Sequence, residues 1–329
     1  MNIETVFRDF ESKRILVVGD VMIDAYLKGK VNRISPEAPV PIINLESREE
    51  RLGGAANVAM NIKAMGATPI LCSVVGDDSG AARFNRLLEM EGLTTEGMVR
   101  DKQRTTSVKT RVLGNNQQLL RIDEERVENL TPEQEKALIA AVTKLILEQT
   151  IDALIFEDYN KGTLTPHVIS ELTRIASKHQ VITTVDPKFA NFLAFENVTL
   201  FKPNLKELSE GLGKIINYSE DKSEFEASIM ELESKLKNQY SFVTLSEHGV
   251  YMKYQGEQHY IPAHRRSIAD VSGAGDTVIA VATLCLCSGL SPKFVAEIAN
   301  LAGGLVCEHR GVVPIDKNRL KEEVTRTLK

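Results

Sequence analysis

The chain has 329 residues, 43% of them hydrophobic and 26% charged, with a net charge of −5; that is enough for one large α/β domain or two smaller ones. The mildly negative balance excludes a whole-molecule field suited to nucleic acid, so any bound phosphate must be held by a local cluster. The polar start MNIETVFRDFESKR lacks the apolar core of a secretory signal, and the longest apolar run, near Val278 to Cys287, is too short to span a bilayer, so no membrane partner and a cytoplasmic location are expected.

In chain order, Ile15-Leu16-Val17-Val18 reads as a buried strand ending at Gly19-Asp20. Residues 25–51 carry Pro36, Pro39 and Pro41 and little helical periodicity. Ile70 to Val75 is a second strand ending at Gly76-Asp77-Asp78. Residues 104–123 alternate with period two about the turn Gly114-Asn115-Asn116, which predicts a hairpin. Further buried strands end at Glu157-Asp158, at Asp186-Pro187-Lys188 and at Ser246-Glu247. Amphipathic helices are expected at 54–66, 79–91, 132–149 and 165–179. Continuous apolar strands alternating with helices predict a three-layer α/β/α core with a mostly parallel sheet covered on both faces. The segments at about 25–51 and 104–123 do not fit such a core and are expected to form a small β-lid on a single 1–329 domain. Cys72, Cys285, Cys287 and Cys307 contain no CxxC pair and read as small buried hydrophobes, and the six histidines lack zinc-site spacing.

Ligands of open α/β sheets bind beyond the carboxyl ends of the strands, and five polar strand ends here point to one such edge. The strongest motif there is Val271-Ser272-Gly273-Ala274-Gly275-Asp276-Thr277, followed at once by an apolar helix. Small residues at a helix start leave backbone N–H groups open to an anion, and Asp276 in the first turn can take a proton from an attacking hydroxyl. Alone, such a loop is better read as a helix-start turn; its neighbours shift the balance. Gly53-Gly54-Ala55-Ala56-Asn57 opens another helix and, with Asp24, suits a polyol. Lys109 and Arg111 share one strand face and could hold a phosphate, or simply form a solvated edge. In Lys202-Pro203-Asn204-Leu205-Lys206-Glu207, Asn204 and Glu207 could order water around Mg²⁺ or form a capping box. There is no GxxxxGK[ST] loop, no HRD or DFG element and no GxGxxG fingerprint.

On the two motifs Gly53-Gly54-x-x-Asn57 and Asp270-Val271-x-Gly273-Ala274-Gly275-Asp276, the chain resembles the ribokinase-like (PfkB) carbohydrate kinases from about residue 12 to 315. The runs GDVMIDAYLKGKVNRISPEAPVPI, ERLGGAANVAMNI, KTRVLGNNQQLLRID, DYNKG, VDPK, KPNLKE and VSGAGDTVIA look like the D-glycero-β-D-manno-heptose 7-phosphate kinases of lipopolysaccharide heptose synthesis. The resemblance implies ATP-dependent phosphorylation of the C1 hydroxyl, a ribokinase-like core, and a lid often used for homodimerisation. It implies Asp276 as base and the amides of Gly273, Ala274, Gly275 and Asp276 as an anion hole. Asp24, Gly53, Gly54 and Asn57 would contact sugar hydroxyls, and Lys109, Arg111, Asn116 or Gln118 the substrate's phosphate. Asp186 and Lys188 would line the mouth. Asn204, Glu207, Ser246, Gly249 and Asn300 would face ATP, with Mg²⁺ near Glu207 through water; dependence on a monovalent cation such as K⁺ is left open. Many relatives carry a basic residue where Asn115 stands. Bifunctional relatives continue into a nucleotidyltransferase with an HxGH-type motif that this sequence lacks, so a separate nucleotidyltransferase is expected. Two alternatives stand beside this reading: another sugar or sugar-phosphate kinase of the same family, and a non-catalytic sugar- or nucleotide-binding regulator.

Overall fold

The computed structural model describes residues 2–220 and 222–328. Its strands are β1 (Arg14–Gly19), β2 (Val21–Ile34), β3 (Pro41–Gly54), β4 (Thr68–Gly76), β5 (Gly97–Asp101), β6 (Ser107–Gly114), β7 (Gln117–Glu124), β8 (Ala153–Glu157), β9 (Ile182–Asp186), β10 (Leu200–Phe201), β11 (Tyr240–Thr244), β12 (Val250–Tyr254) and β13 (Glu257–Ile261). Its α-helices are α1 (Ile3–Asp9), α2 (Ala55–Ala64), α3 (Ser79–Met90), α4 (Pro132–Glu148), α5 (Pro166–Lys178), α6 (Leu205–Leu212), α7 (Lys222–Leu236), α8 (Ala274–Cys287), α9 (Pro292–Val306) and α10 (Lys317–Thr327).

Nine strands form the main sheet in the order β13-β12-β11-β10-β9-β8-β1-β4-β5. From β11 to β5 every neighbouring pair is parallel; β12 and β13 continue the sheet antiparallel. Side-chain alternation explains why the strands are apolar throughout. Ile15 and Val17 of β1 join a buried cluster with Val58, Ile62 and Ile279 of α2 and α8. Leu16 and Val18 join a second cluster with Leu138 of α4 and Leu172 of α5. The three layers follow from that parity. The hairpin β12–β13 was not foreseen; its turn, Gln255-Gly256 with φ of 48° and 86°, was the available signal.

The lid is a separate four-stranded sheet in the order β3-β2-β6-β7. Its strands run further than the segments predicted, because β2 starts one residue after Asp20 and β3 runs straight into α2. Pro36 and Pro39 fall in the connection between β2 and β3, and Pro41 is the first residue of β3, where its missing N–H costs least. Asn115 and Asn116 have φ of 51° and 65°, as a two-residue hairpin turn between β6 and β7 requires. No helix among the described residues is long and apolar enough to cross a membrane.

Candidate active site

The carboxyl edge of the parallel sheet gathers charged groups. Glu157 ends β8, Asp186 ends β9, and Lys202 follows β10. Each lies two residues beyond one that faces α8. Ile155 and Leu200 share the buried cluster of Ile279, and Thr184 bonds Thr283 of α8 at 2.7 Å. Strand parity therefore aims all three at the start of α8. Oxygens of Glu157, Asp186 and Asp276 lie within 4.8 Å of one another. The Lys202 ammonium enters this group, 2.8 Å from Asp186, so part of the crowded negative charge is met from within the chain.

Gly273 caps α8 with φ of 79°, a backbone setting that side chains with a Cβ disfavour. The N–H of Ala274 turns back to the Val271 carbonyl at 3.3 Å, while those of Gly275 and Asp276 have no backbone acceptor among the described residues. The Gly273 N–H likewise has no acceptor among the described residues, so of the four amides expected to form an anion hole only that of Ala274 is engaged. The Asp276 carboxylate is buried and held from two sides: Asn57 of α2 donates at 2.6 Å, and the Tyr159 hydroxyl lies 3.0 and 3.2 Å from its two oxygens. Burial raises its pKa above the ordinary aspartate value. Asn57 opposes this, Asp186 adds to it, and Tyr159 and Lys202 oppose it. Burial beside Asp186 and Asp276 pushes Glu157 well upward, favouring its neutral acid.

The diglycine forms the corner from β3 into α2. At Gly53 a Cβ would come 2.4 Å from an Asp24 oxygen, so only glycine lets that carboxylate lie across the backbone. Asn57, expected on sugar hydroxyls, also donates an amide N–H to Asp276, because Asn57 and Asp276 occupy the facing first turns of α2 and α8. A second contact joins these helices: Thr277 donates to Asn61 at 3.0 Å.

In the lid, the paired cations are not free. Arg111 bonds Asp24 at 2.5 Å, and Lys109 lies 3.1 Å from Asp123 and 3.0 Å from Glu125. Asn115 donates to and accepts from the Val31 backbone, so it ties the turn to β2. Asn116 and Gln118 lie exposed at the hairpin tip, beyond this charged group.

On the far side, Asn204 and Glu207 form a reciprocal capping box at the start of α6, with both bonds at 2.8 Å. The other Glu207 oxygen pairs with Lys188. Burial works against the Lys188 charge, but Asp186 and Glu207 outweigh it and hold the ammonium above the ordinary lysine value. Both Glu207 oxygens are thus engaged. The lone pairs that remain fit water around a hydrated Mg²⁺, which tends to keep its waters, rather than direct coordination. Gly249 packs against the backbone of Ile261–Ala263, and Asn300 donates to the Pro262 carbonyl at 2.9 Å, so these two predicted residues border one segment. A cleft of about 470 Å³ beside it is lined by Tyr218, His248, Tyr260 and Pro262. Ser246 opens the turn that leads to Gly249.

Sequence reasoning assigned no role to Tyr159, Glu157, Lys202 or Asp20. For Glu157 and Lys202, parity from Ile155 and Leu200 was the available signal. Asp20 accepts the N–H groups of Tyr159, Lys161 and Thr163 at 2.9 to 3.0 Å, a loop-fixing role that only the parallel pairing of β1 with β8 reveals.

The family model of pfkB family carbohydrate kinases matches residues 12–318. The chain is 38% identical over 316 residues to a protein named "Bifunctional protein HldE" from Desulfatibacillum aliphaticivorans, covering 96% of this chain and 64% of that one. It is 39% identical over 303 residues to the protein of the same name from Helicobacter pylori strain G27, covering 91% and 64%. It therefore spans 64% of the length of these relatives. Among solved structures, it resembles phosphofructokinase-2 from Escherichia coli in complex with potassium, with a TM-score of 0.76, 18% identity and coverage of 96% and 99%. It also resembles ribokinase from Arabidopsis thaliana complexed with ribose and ATP, with a TM-score of 0.70, 15% identity and coverage of 94% and 99%. At these identities the shared feature is the ribokinase-like fold. With the family match running over nearly the whole chain, this protein belongs to the pfkB family of carbohydrate kinases and is an ATP-dependent sugar kinase.

Proposed function

We propose that the chain transfers the γ-phosphoryl group of ATP to the C1 hydroxyl of D-glycero-β-D-manno-heptose 7-phosphate, giving the 1,7-bisphosphate for ADP-heptose and lipopolysaccharide core synthesis in the cytoplasm. The observation that carries this reading is the buried Asp276 carboxylate beside the open N–H groups of Gly275 and Asp276. It is supported by the run of similarity to the proteins named HldE.

In this reading Asp276 accepts the proton of the C1 hydroxyl as its oxygen attacks in line, and the amides at the start of α8 stabilise charge on the transferring group. Asp24, Gly53, Gly54 and Asn57 meet the sugar. The 7-phosphate takes Lys109 and Arg111 in exchange for carboxylates they now bond, Asp24, Asp123 and Glu125. Asp186 and Lys188 line the mouth. Asn204, Glu207, Ser246, Gly249 and Asn300 border the nucleotide. Glu207 would order the waters of Mg²⁺, which when bound neutralises phosphate charge. The K⁺ of the phosphofructokinase-2 structure motivates a test for monovalent-cation dependence. A second copy would cover the lid residues Ile34, Val40, Leu45, Leu119, Leu120 and Ile122, which are exposed in one chain. A nucleotidyltransferase activity would consume the product.

The test is ADP release across a panel of free and phosphorylated sugars. The heptose 7-phosphate should give the highest kcat/KM. A better unphosphorylated sugar would defeat the substrate assignment and favour another kinase of the same family, and sugar-independent ATP loss would defeat it too.

A further inference from the structure

Tyr159 sits on the loop after β8, and Asp20 fixes the backbone of that loop through three N–H bonds. From there the phenol crosses to Asp276 and bridges both carboxylate oxygens. Asn57 holds one of the same oxygens from α2. One donor alone would leave the carboxylate free to turn about its broad terminal torsion; two donors from different elements fix it. The Lys188 ammonium lies 5.8 Å from the centroid of the Tyr159 ring and is paired with Glu207, which links the ring to the capped start of α6.

We propose that Tyr159 is a positioning residue for phosphoryl transfer: its hydroxyl, on a loop fixed by Asp20, holds the Asp276 carboxylate in place for the acceptor hydroxyl. This rests on the reading of Asp276 as the base.

The surroundings explain why such a donor is needed. Glu157 faces Asp276 from β8 and Asp186 from β9, while Lys202 after β10 and Asn57 on α2 face it with compensating donors. Without enough donation the buried carboxylate would hold a proton rather than accept one. Tyr159 itself stays protonated: burial, with Asp276, Glu157 and Asp186 close by, holds the phenol well above its ordinary value.

Tyr159→Phe keeps the ring and deletes only the hydroxyl. We expect kcat to fall about 10- to 100-fold, the range for a lost hydrogen bond to a charged group, while KM for ATP and for the sugar phosphate stays within roughly twofold. The acidic limb of the pH–kcat profile should move to higher pH. A raised KM with an unmoved limb would put Tyr159 on the substrate, and unchanged kinetics would make the contact incidental; either overturns the proposal. A carbon-13 NMR titration of the Asp276 carboxyl, assigned with Asp276→Asn, reads the contact without turnover. The carboxyl should titrate at higher pH in Tyr159→Phe than in the parent, and coincident curves overturn the proposal. If the curves separate while the parent phosphorylates no heptose phosphate, the substrate assignment fails and the role of Tyr159 stands.

Discussion

The Asn57 amide donates to the Asp276 carboxylate at 2.6 Å, joining the first turns of two helices whose residues lie 219 positions apart. This contact unites the two glycine motifs in one site and gives the first prediction. Asn57→Ala removes a donor that lowers the Asp276 pKa, so the acidic limb of the pH–kcat profile should move to higher pH. The loss of a hydrogen bond to a charged group should lower kcat about 10- to 100-fold. A steady-state pH series on the variant and the parent checks both.

Asp276→Asn keeps the shape of the side chain and removes the proton acceptor. Turnover should fall about 10² to 10⁴-fold, the contribution of general base catalysis. Circular dichroism and ATP affinity should stay at parental values, which separates lost chemistry from lost folding. Near-parental turnover would exclude Asp276 as the base.

Replacing Lys109 and Arg111 together with Met tests the lid. KM for a phosphorylated sugar should rise by at least about tenfold, the scale of one charge-assisted hydrogen bond, with KM for ATP little changed. Because Asp24 loses its Arg111 partner in this variant, a further substitution, Asp24→Asn, checks that the rise does not come from an unpaired carboxylate.

Asp158 gives a prediction about stability. Burial and the nearby Asp20 carboxylate push its pKa up to about 6. The folded state therefore holds this proton more tightly than the unfolded chain, whose value is the ordinary 3.8. Ionisation then weakens the fold as pH rises from that value through about 6, and the full penalty is present above it. Asp158→Asn removes the charge and can still accept from the Asn160 N–H through its side-chain oxygen, but it gives up the bond that the Asn191 amide donates to the other oxygen, a loss that does not depend on pH. Urea denaturation should show the stability of the variant relative to the parent rising by about 1–3 kcal/mol between pH 4 and pH 8. A constant gap would show that the buried charge is not its cause.

Much of this arrangement was legible in the residues. The buried strands declared themselves because a sheet covered on both faces admits apolar side chains at every position, and the glycine motifs because backbone must approach closely at two helix starts. The lid hairpin showed in its period of two and its Asn-Asn turn. What remained hidden was convergence. Asn57 reads as a polar residue beside a diglycine, and only the packing of α2 on α8 turns its amide to Asp276. Lys109 and Arg111 read as a vacant phosphate cradle because their carboxylate partners come from other strands, Asp24 from β2 and Asp123 from β7. Tyr159 carries no signal of its own, since its place depends on Asp20, which lies 139 positions earlier.

The central claim is that Asp276 directs phosphoryl transfer to the C1 hydroxyl of a sugar that already carries phosphate. Phosphorus NMR of the product formed from ATP and D-glycero-β-D-manno-heptose 7-phosphate tests it most directly. Two sugar-phosphate resonances in equal amounts are predicted at full conversion, the retained 7-phosphate and a new anomeric ester coupled to H1; with Asp276→Asn the substrate's 7-phosphate remains and the anomeric ester is lost. A new ester at any other carbon, or none while another sugar is phosphorylated, would contradict it.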